Sequence, residues 1–291
     1  MSDPHPYTRE VRRYYDANTS IFRLFEPKGD TIHRAVWAEG VKGRRAAVEH
    51  TNSLVAAEVT ALSRRDACKS LRIVDLGCGT GGTFLFLADH LRVPWTGLAV
   101  TLSPLQVERA LRNFERRRLS ERCHVLEADY VNVPDDGPFD VAVAIESFVH
   151  CPEPTSFFRE VARLLRPGGR LVVIDDLVSE RASTAMLLPS EAACLREFSR
   201  GWLAPAPQSV RSLVTLASAA GLQLVSDVDL TPSLRLLPGT HRPTPRALAT
   251  WLFEVGVVDV PLVRSLSGGL ALQLGLAQGL LEYRFLCFER A

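Results

Sequence analysis

Short apolar segments alternate with helix-like segments through the middle of this chain, and this alternation limits the possible folds more than any other feature. The predicted strands are residues 71–76, 96–100, 124–127, 139–145 and 170–175, and the predicted helices between them are 83–91, 105–117 and 154–165. Strands that alternate with helices in this way form a parallel sheet with helical crossovers. The sequence therefore predicts an α/β fold built on an open, doubly wound, mostly parallel sheet.

Helical segments flank this alternation on both sides. Residues 8–65 show helical periodicity without a clear strand, and beyond the alternation we predict helices at 189–201, 208–220, 243–255 and 260–280 and strands at 222–229 and 281–289. The two further strands bring the predicted sheet to seven. We expect an N-terminal helical lid at 1–65 and one main domain at 66–291, with helical insertions at about 177–220 and 231–280 that cover one end of the sheet.

Charge, hydropathy and cysteine content argue against several classes of protein. The formal net charge of +1 gives no electrostatic reason to expect a nucleic-acid partner. No apolar run reaches the roughly 18 residues that a membrane span needs, and residues 1–15 lack the apolar region of a secretory signal. The six cysteines are scattered without a CxxC pair, which favours reduced thiols and no metal site. We expect a cytoplasmic protein without integral membrane contact, and the sequence leaves a homo-oligomer open.

A glycine-rich loop joins the first predicted strand to the first predicted helix, with the sequence Val74-Asp75-Leu76-Gly77-Cys78-Gly79-Thr80-Gly81-Gly82. Glycines at such a turn let the backbone bend sharply and approach a ligand at a helix N-terminus rich in free N–H groups. The spacing Gly77-x-Gly79-x-x-Gly82 also matches the dinucleotide fingerprint, so the glycines alone do not identify the ligand.

Two features around the loop disfavour a dinucleotide. Asp75 lies two residues before the first glycine, where a carboxylate suits a ligand with an ammonium group and repels a pyrophosphate. A dinucleotide site also needs an acidic residue about 20 positions further on, and residues 97–101 contain none. The loop therefore favours a ligand that carries an ammonium group.

Residues 71–176 resemble class I S-adenosylmethionine-dependent methyltransferases throughout. VDLGCGTGG is similar to the first motif of that family, EADYVNVP to its adenine-side segment, FDVAVAIESFVH to its fourth strand and LLRPGGRLVVID to its fifth. The resemblance implies a Rossmann-like, doubly wound, seven-stranded sheet, mostly parallel, with helical lids. It also implies S-adenosyl-L-methionine as the cofactor and residues 66–291 as the methyltransferase domain.

Residues 97–106 (GLAVTLSPLQ) resemble the subgroup that includes tocopherol, mycolic-acid, cyclopropane-fatty-acid and prenyl-diphosphate methyltransferases. The resemblance implies that Thr101 and Gln106 hold the ribose hydroxyls in place of an acidic residue, and that Asp129 accepts the adenine amino group. Tyr14-Tyr15-Asp16 and residues 32–37 resemble lid segments that fold over the sulfonium. The implied cofactor-binding residues are Tyr15, Asp75, Gly77, Cys78, Gly79, Gly81, Thr101, Leu102, Gln106, Asp129, Tyr130 and Ile145.

Three residues are candidates for catalysis: Glu146 at the end of the fourth strand, His150 four residues later, and His33 in the lid. If the acceptor is an alkene carbon, Glu146 would stabilise the carbocation and take the proton. If the acceptor is a hydroxyl, His150 is the natural general base, because its ordinary pKa lies near neutrality. Both readings stay open.

The region 177–280 is rich in Leu, Ala and Val, which favours a small lipophilic acceptor. Our first hypothesis is methyl transfer to a carbon atom of an isoprenoid or a prenyl diphosphate. The alternatives are an O-methyltransferase of specialised metabolism that uses His150, and a non-transferring cyclase that retains the cofactor. Arg235, Arg242 and Arg246 would hold an acidic group on the acceptor or else be solvated.

Overall fold

The computed structural model describes residues 6–25, 33–67, 70–134, 137–237 and 261–291. The strands are β1 (Leu71–Leu76), β2 (Trp95–Thr101), β3 (Cys123–Glu127), β4 (Phe139–Ile145), β5 (Leu165–Val178), β6 (Leu222–Asp229) and β7 (Leu281–Arg290). The helices are α1 (Pro6–Phe25), α2 (Arg44–Asp66), α3 (Gly82–His90), α4 (Pro104–Arg116), α5 (Pro154–Leu164), α6 (Glu180–Thr184), α7 (Pro189–Gly201), α8 (Val210–Ala219) and α9 (Pro261–Ala277). The helix predicted at 243–255 lies outside the described residues.

The strands form a seven-stranded sheet in the order β3-β2-β1-β4-β5-β7-β6. β7 runs antiparallel to both of its neighbours, and the other pairings are parallel. From β1 the chain adds β2 and β3 on one side, and it then returns to add β4 and the later strands on the other side, as in a doubly wound sheet. The predicted fold class, a Rossmann-like seven-stranded and mostly parallel sheet, is confirmed.

The two faces of the sheet bury different helices. Val55, Val59 and Leu62 of α2 pack with Phe84 of α3 against alternate residues of β1 and β4. On the opposite face, α5 and α8 cover the intervening strand positions, with Phe157, Phe158 and Leu213 fully buried there. α2 therefore packs on the sheet although it lies within the predicted lid at 1–65, and the division into domains stays a prediction.

The fifth strand is longer than the sequence indicates. Arg166-Pro167-Gly168-Gly169 is a turn signal, yet β5 already begins at Leu165. Between the pairs Phe139–Leu165 and Val141–Arg170, β4 advances by two residues and β5 by five, so the extra residues bulge out of the ladder. At the other end β5 continues to Val178 because the antiparallel partner β7 pairs with it as far as Leu281.

Helices α7 and α9 pack against each other beside the sheet and are called the C-terminal lid below. Two glycines face each other at this contact: a Cβ added to Gly268 would lie 2.3 Å from the carbonyl carbon of Gly201. Only glycine permits this contact of backbones. Among the helices of the described residues, none is long and apolar enough to cross a membrane.

Candidate active site

Residues at the carboxyl ends of β1, β2, β3 and β4 surround a cavity of about 400 Å³, and α1, His33, Arg34 and the C-terminal lid contribute the rest of its wall. Ligands bind at this edge of open α/β sheets. Thirteen of the fifteen predicted site residues line the cavity: Tyr15, His33, Gly77, Cys78, Gly79, Thr101, Leu102, Gln106, Asp129, Tyr130, Ile145, Glu146 and His150. Asp75 and Gly81 are not on its wall.

The glycine loop has the backbone conformation that the sequence predicts. Gly77, Gly79 and Gly81 have φ values of 103°, 53° and 86°, a region that residues with a Cβ rarely adopt. A Cβ on Gly77 would lie 2.3 Å from the Cβ of Ser147, which is in the segment after β4. The loop can therefore lie this close to the end of β4 only with glycine at position 77.

Asp75 lies inside β1 and is nearly fully buried. Its Oδ2 has no hydrogen-bond partner among the described residues. Burial raises the pKa of this carboxyl to about 7, although a hydrogen bond with Thr83 acts in the opposite direction. The predicted contact of Asp75 with an ammonium group stays a prediction, since the structure places the side chain behind the cavity wall.

The pair predicted to hold the ribose is preassembled at the end of β2. The Thr101 hydroxyl donates a hydrogen bond of 2.6 Å to Oε1 of Gln106. Ser103 caps α4 by accepting from the backbone N–H of Gln106 at 3.2 Å, and its hydroxyl donates to Asp16 of α1 at 2.5 Å. The residue that caps α4 thus also connects α1 to this wall of the cavity.

The pair predicted to hold adenine lies after β3. Oδ2 of Asp129 accepts a hydrogen bond of 3.0 Å from the hydroxyl of Thr8 in α1. The other oxygen, Oδ1, accepts one of 3.2 Å from the backbone N–H of Val131. Tyr130 donates to the backbone carbonyl of Ser147 at 3.2 Å, so its phenol links this wall to the segment after β4.

Glu146 follows β4 with φ 51°, which is unusual for a residue other than glycine. Oε1 accepts two hydrogen bonds, one from the backbone N–H of Arg34 at 2.8 Å and one from the phenol of Tyr283 at 2.7 Å. Within the described ranges Oε2 accepts none, which leaves this oxygen for the cavity that Glu146 lines. The carboxylate is therefore fixed on one side and available on the other.

Arg34 and Tyr283 are site residues that the sequence did not reveal. The guanidinium of Arg34 donates to both oxygens of Asp176, at 2.5 and 2.7 Å, and lies 4.6 Å from the centre of the Tyr283 ring. Asp175 and Asp176, two carboxylates at the carboxyl end of a parallel strand, were a usable signal for this cluster. Tyr283 offered none, because aromatic residues are ordinary in a buried strand.

His150 is bound through both ring nitrogens. Nδ1 lies 2.8 Å from the carbonyl oxygen of Leu203, which can only accept, so Nδ1 carries the proton and Nε2 accepts from the phenol of Tyr15 at 2.6 Å. Burial lowers the pKa of His150 to about 4, against opposing contributions from the Leu203 carbonyl and Glu146. Burial also lowers the pKa of His33, with the charge of Glu146 acting in the opposite direction. Both imidazoles are therefore neutral near neutral pH.

The C-terminal lid contributes a mostly apolar wall. Trp202 follows α7, and Gly269, Leu272 and Gln273 lie on α9. Arg235 stacks on Trp37, 3.6 Å from the ring centre, and is not on the cavity wall. Arg242 and Arg246 lie outside the described residues. The predicted contact of these arginines with an acidic acceptor group stays a prediction.

Comparisons with known proteins agree with this architecture. Residues 73–169 match a family model described as a methyltransferase domain. The O-methyltransferase cnsE of Penicillium expansum is 31% identical over 235 residues, which are 80% of this chain and 79% of that protein. The methyltransferase GfsG of Streptomyces halstedii is 28% identical over 256 residues, which are 87% of each.

A solved structure with the same fold is the geranyl diphosphate C-methyltransferase from Streptomyces coelicolor A3(2), in complex with Mg²⁺, geranyl diphosphate and S-adenosyl-L-homocysteine. It superposes with a TM-score of 0.67 at 18% sequence identity, over 99% of this chain and 100% of the other. At that identity the likeness concerns the fold. The family model, the relative at 31% identity and the glycine loop in its Rossmann-like sheet together establish that the chain belongs to the class I S-adenosylmethionine-dependent methyltransferases.

Proposed function

We propose that this enzyme transfers the methyl group of S-adenosylmethionine to a carbon atom of a small lipophilic acceptor, such as an isoprenoid. The observation that carries the proposal is the arrangement of Glu146. Its carboxylate lies on a largely apolar cavity wall, with Oε1 bound to two donors and Oε2 left for the cavity. A carboxylate held in this way suits an acceptor that becomes positive.

The described residues fit the cofactor. The glycine loop at 77–81 passes so close to Ser147 that a Cβ at position 77 would clash with it, and the Thr101–Gln106 pair has the polar atoms that ribose hydroxyls need. Asp129 offers carboxylate oxygens to an amino group. When bound, S-adenosylmethionine supplies a methyl group already activated by a sulfonium. The protein then has to position the acceptor and exclude water.

Glu146 would act at the acceptor after the methyl group has arrived. Methylation of an alkene carbon leaves a positive charge, and a carboxylate that is partly dehydrated stabilises such a charge more strongly than one in water. The same carboxylate can then remove a proton from the neighbouring carbon, which restores a double bond. The apolar residues Leu102, Ile145 and Leu272 on the same wall suit a hydrocarbon acceptor.

A second candidate function is O-methylation of a small hydroxylated metabolite. The contact of Tyr15 with Nε2 of His150 favours it, because a neutral imidazole on the cavity wall can accept a hydroxyl proton. The name of the relative from Penicillium expansum, an O-methyltransferase, points the same way. Against it, both nitrogens of His150 already have protein partners, so an acceptor hydroxyl would have to displace Tyr15.

The test is an assay with labelled S-adenosylmethionine and a panel of prenyl diphosphates, sterols, phenols and aliphatic alcohols. Carbon methylation predicts label in an alkene product, and Glu146→Gln should lose turnover by about 10²–10⁴-fold, as expected for removal of an acid–base group. His150→Ala should then keep most of the turnover. Label on oxygen, with the larger loss in His150→Ala, would replace the first function by the second.

A further inference from the structure

Tyr283 reaches the site from a distant part of the sheet. Its residue number is 137 higher than that of Glu146, and it lies in β7, where it pairs with Asp176 of β5. The side chain is fully buried, so its hydroxyl needs a hydrogen-bond partner within the protein. That partner is Oε1 of Glu146 at 2.7 Å. The phenol of a residue in the core of the sheet thus donates its hydrogen bond to a carboxylate on the cavity wall.

The hydroxyl of Tyr283 is a donor in this contact. Burial, followed by the negative charge of Glu146, raises the pKa of the phenol well above its ordinary value, so it carries its proton near neutral pH. The ring is also held in place, since the guanidinium of Arg34 stacks on it and is itself bound to Asp176. The position of the hydroxyl does not depend on a mobile side chain.

The backbone of Glu146 is constrained together with its side chain. Its φ of 51° is a strained value for a residue with a Cβ, and such strain persists only where surrounding contacts determine it. The backbone N–H of Glu146 donates to Ile174 at 2.8 Å, which fixes the residue against β5. The side chain therefore leaves a fixed backbone and ends on two fixed donors.

We propose that Tyr283 is a positioning residue for methyl transfer: it holds Oε1 of Glu146 on the protein side and turns Oε2 to the acceptor. The catalytic half of this inference rests on the role of Glu146 in the proposed function. The structural half, that the phenol fixes the orientation of the carboxylate, does not depend on the acceptor and can be tested without one.

The experiment is carbon-13 NMR of the protein with labelled glutamate side chains. The carboxyl signal of Glu146 is identified as the one missing in Glu146→Gln. Tyr283→Phe retains the ring and removes only the hydroxyl, so the carboxylate loses one donor. We expect the carboxyl signal of Glu146 to change its chemical shift in Tyr283→Phe, because the hydrogen bond from the phenol contributes to that shift. An unchanged signal would overturn the proposal.

The matched control is Phe285→Leu, a change two residues further along β7 in the same core cluster, which does not line the cavity. It should lower stability without moving the carboxyl signal of Glu146. If both variants move it equally, the effect belongs to packing of β7 and the proposal fails.

Turnover with an acceptor from the panel separates the two proposals. If Glu146→Gln loses turnover and Tyr283→Phe loses about tenfold in turnover with little change in KM for the cofactor, both the proposed function and the positioning role are supported. Loss in Glu146→Gln with full activity in Tyr283→Phe rejects the positioning role alone. Full activity in Glu146→Gln rejects the proposed function, whatever the NMR signal of Glu146 shows.

Discussion

The phenol of Tyr15 lies 2.6 Å from Nε2 of His150, which connects α1 to the segment after β4 across the cavity. On its other side the imidazole is bound by the carbonyl of Leu203. A histidine held in this way stays neutral in the folded protein under conditions that protonate it in the unfolded chain. That difference makes the stability of the fold depend on pH.

We expect the free energy of unfolding to fall when the pH is lowered from about 6.5 to about 4. In this range the unfolded chain binds a proton at His150 and the folded protein does not, because burial lowers the pKa of the folded side chain to about 4. The contribution of this residue is up to about 3 kcal/mol. Denaturant unfolding of wild type and His150→Gln at both ends of the range measures it, and the variant should lose less stability on acidification. His124→Gln, at an exposed position on β3, is the control that should follow wild type.

Gly77→Ala should abolish cofactor binding. The added Cβ would lie 2.3 Å from the Cβ of Ser147 and would occupy a backbone of φ 103° that alanine avoids. Gly40 has a similar φ of 78° but open space around it, so Gly40→Ala should cost only about 1–2 kcal/mol of stability. Calorimetry with S-adenosylmethionine and with S-adenosylhomocysteine compares the two. Equal affinity in wild type and Gly77→Ala would show that the loop does not hold the cofactor.

Gln106→Ala should weaken binding of S-adenosylmethionine by about tenfold, since a hydrogen-bond partner of a buried polar group is worth about 1–3 kcal/mol. The change also removes the acceptor of the Thr101 hydroxyl. Gln223→Ala, on the exposed side of β6, provides a matched loss of one amide and should bind like wild type. A change of less than twofold in Gln106→Ala would mean that the ribose is held by other residues.

Asp129 should determine recognition of the base. A carboxylate accepts from the amino group of adenine and repels the carbonyl oxygen that replaces it in hypoxanthine. We therefore expect wild type to prefer S-adenosylhomocysteine over S-inosylhomocysteine by about tenfold or more, the value of one hydrogen bond to a charged group. Asp129→Ala should bind the two compounds with similar affinity. A preference that survives the substitution would assign adenine recognition to another residue.

Local patterns carried most of what the sequence could predict. The glycine loop and the short apolar strands are each decided within a few residues, and the structure has both. The cofactor side of the cavity is built mainly from such segments. Its residues could therefore be predicted together with the strands that carry them.

The acceptor side depends on contacts between distant segments, which no local pattern encodes. The Tyr283–Glu146 hydrogen bond and the stacking of Arg34 on Tyr283 each require the antiparallel strand β7 to lie beside β5. Asp75 shows another limit. It lies two residues before Gly77 and is buried, but its position in the chain does not determine which way its carboxylate points, so its contact with a ligand stays a prediction.

The place of β7 in the sheet also determines the order in which the enzyme can assemble. β6 has its only described pairing with β7, yet residues 230–280 separate the two strands in the chain. During synthesis, residues 222–229 leave the ribosome without a neighbour and must wait for residues 281–290 before they can join the sheet. Domains synthesised in this way fold as units once their last essential segment is available. Because the same strand brings Tyr283 to Glu146, a nascent chain can form its cofactor loop well before it can complete its acceptor site.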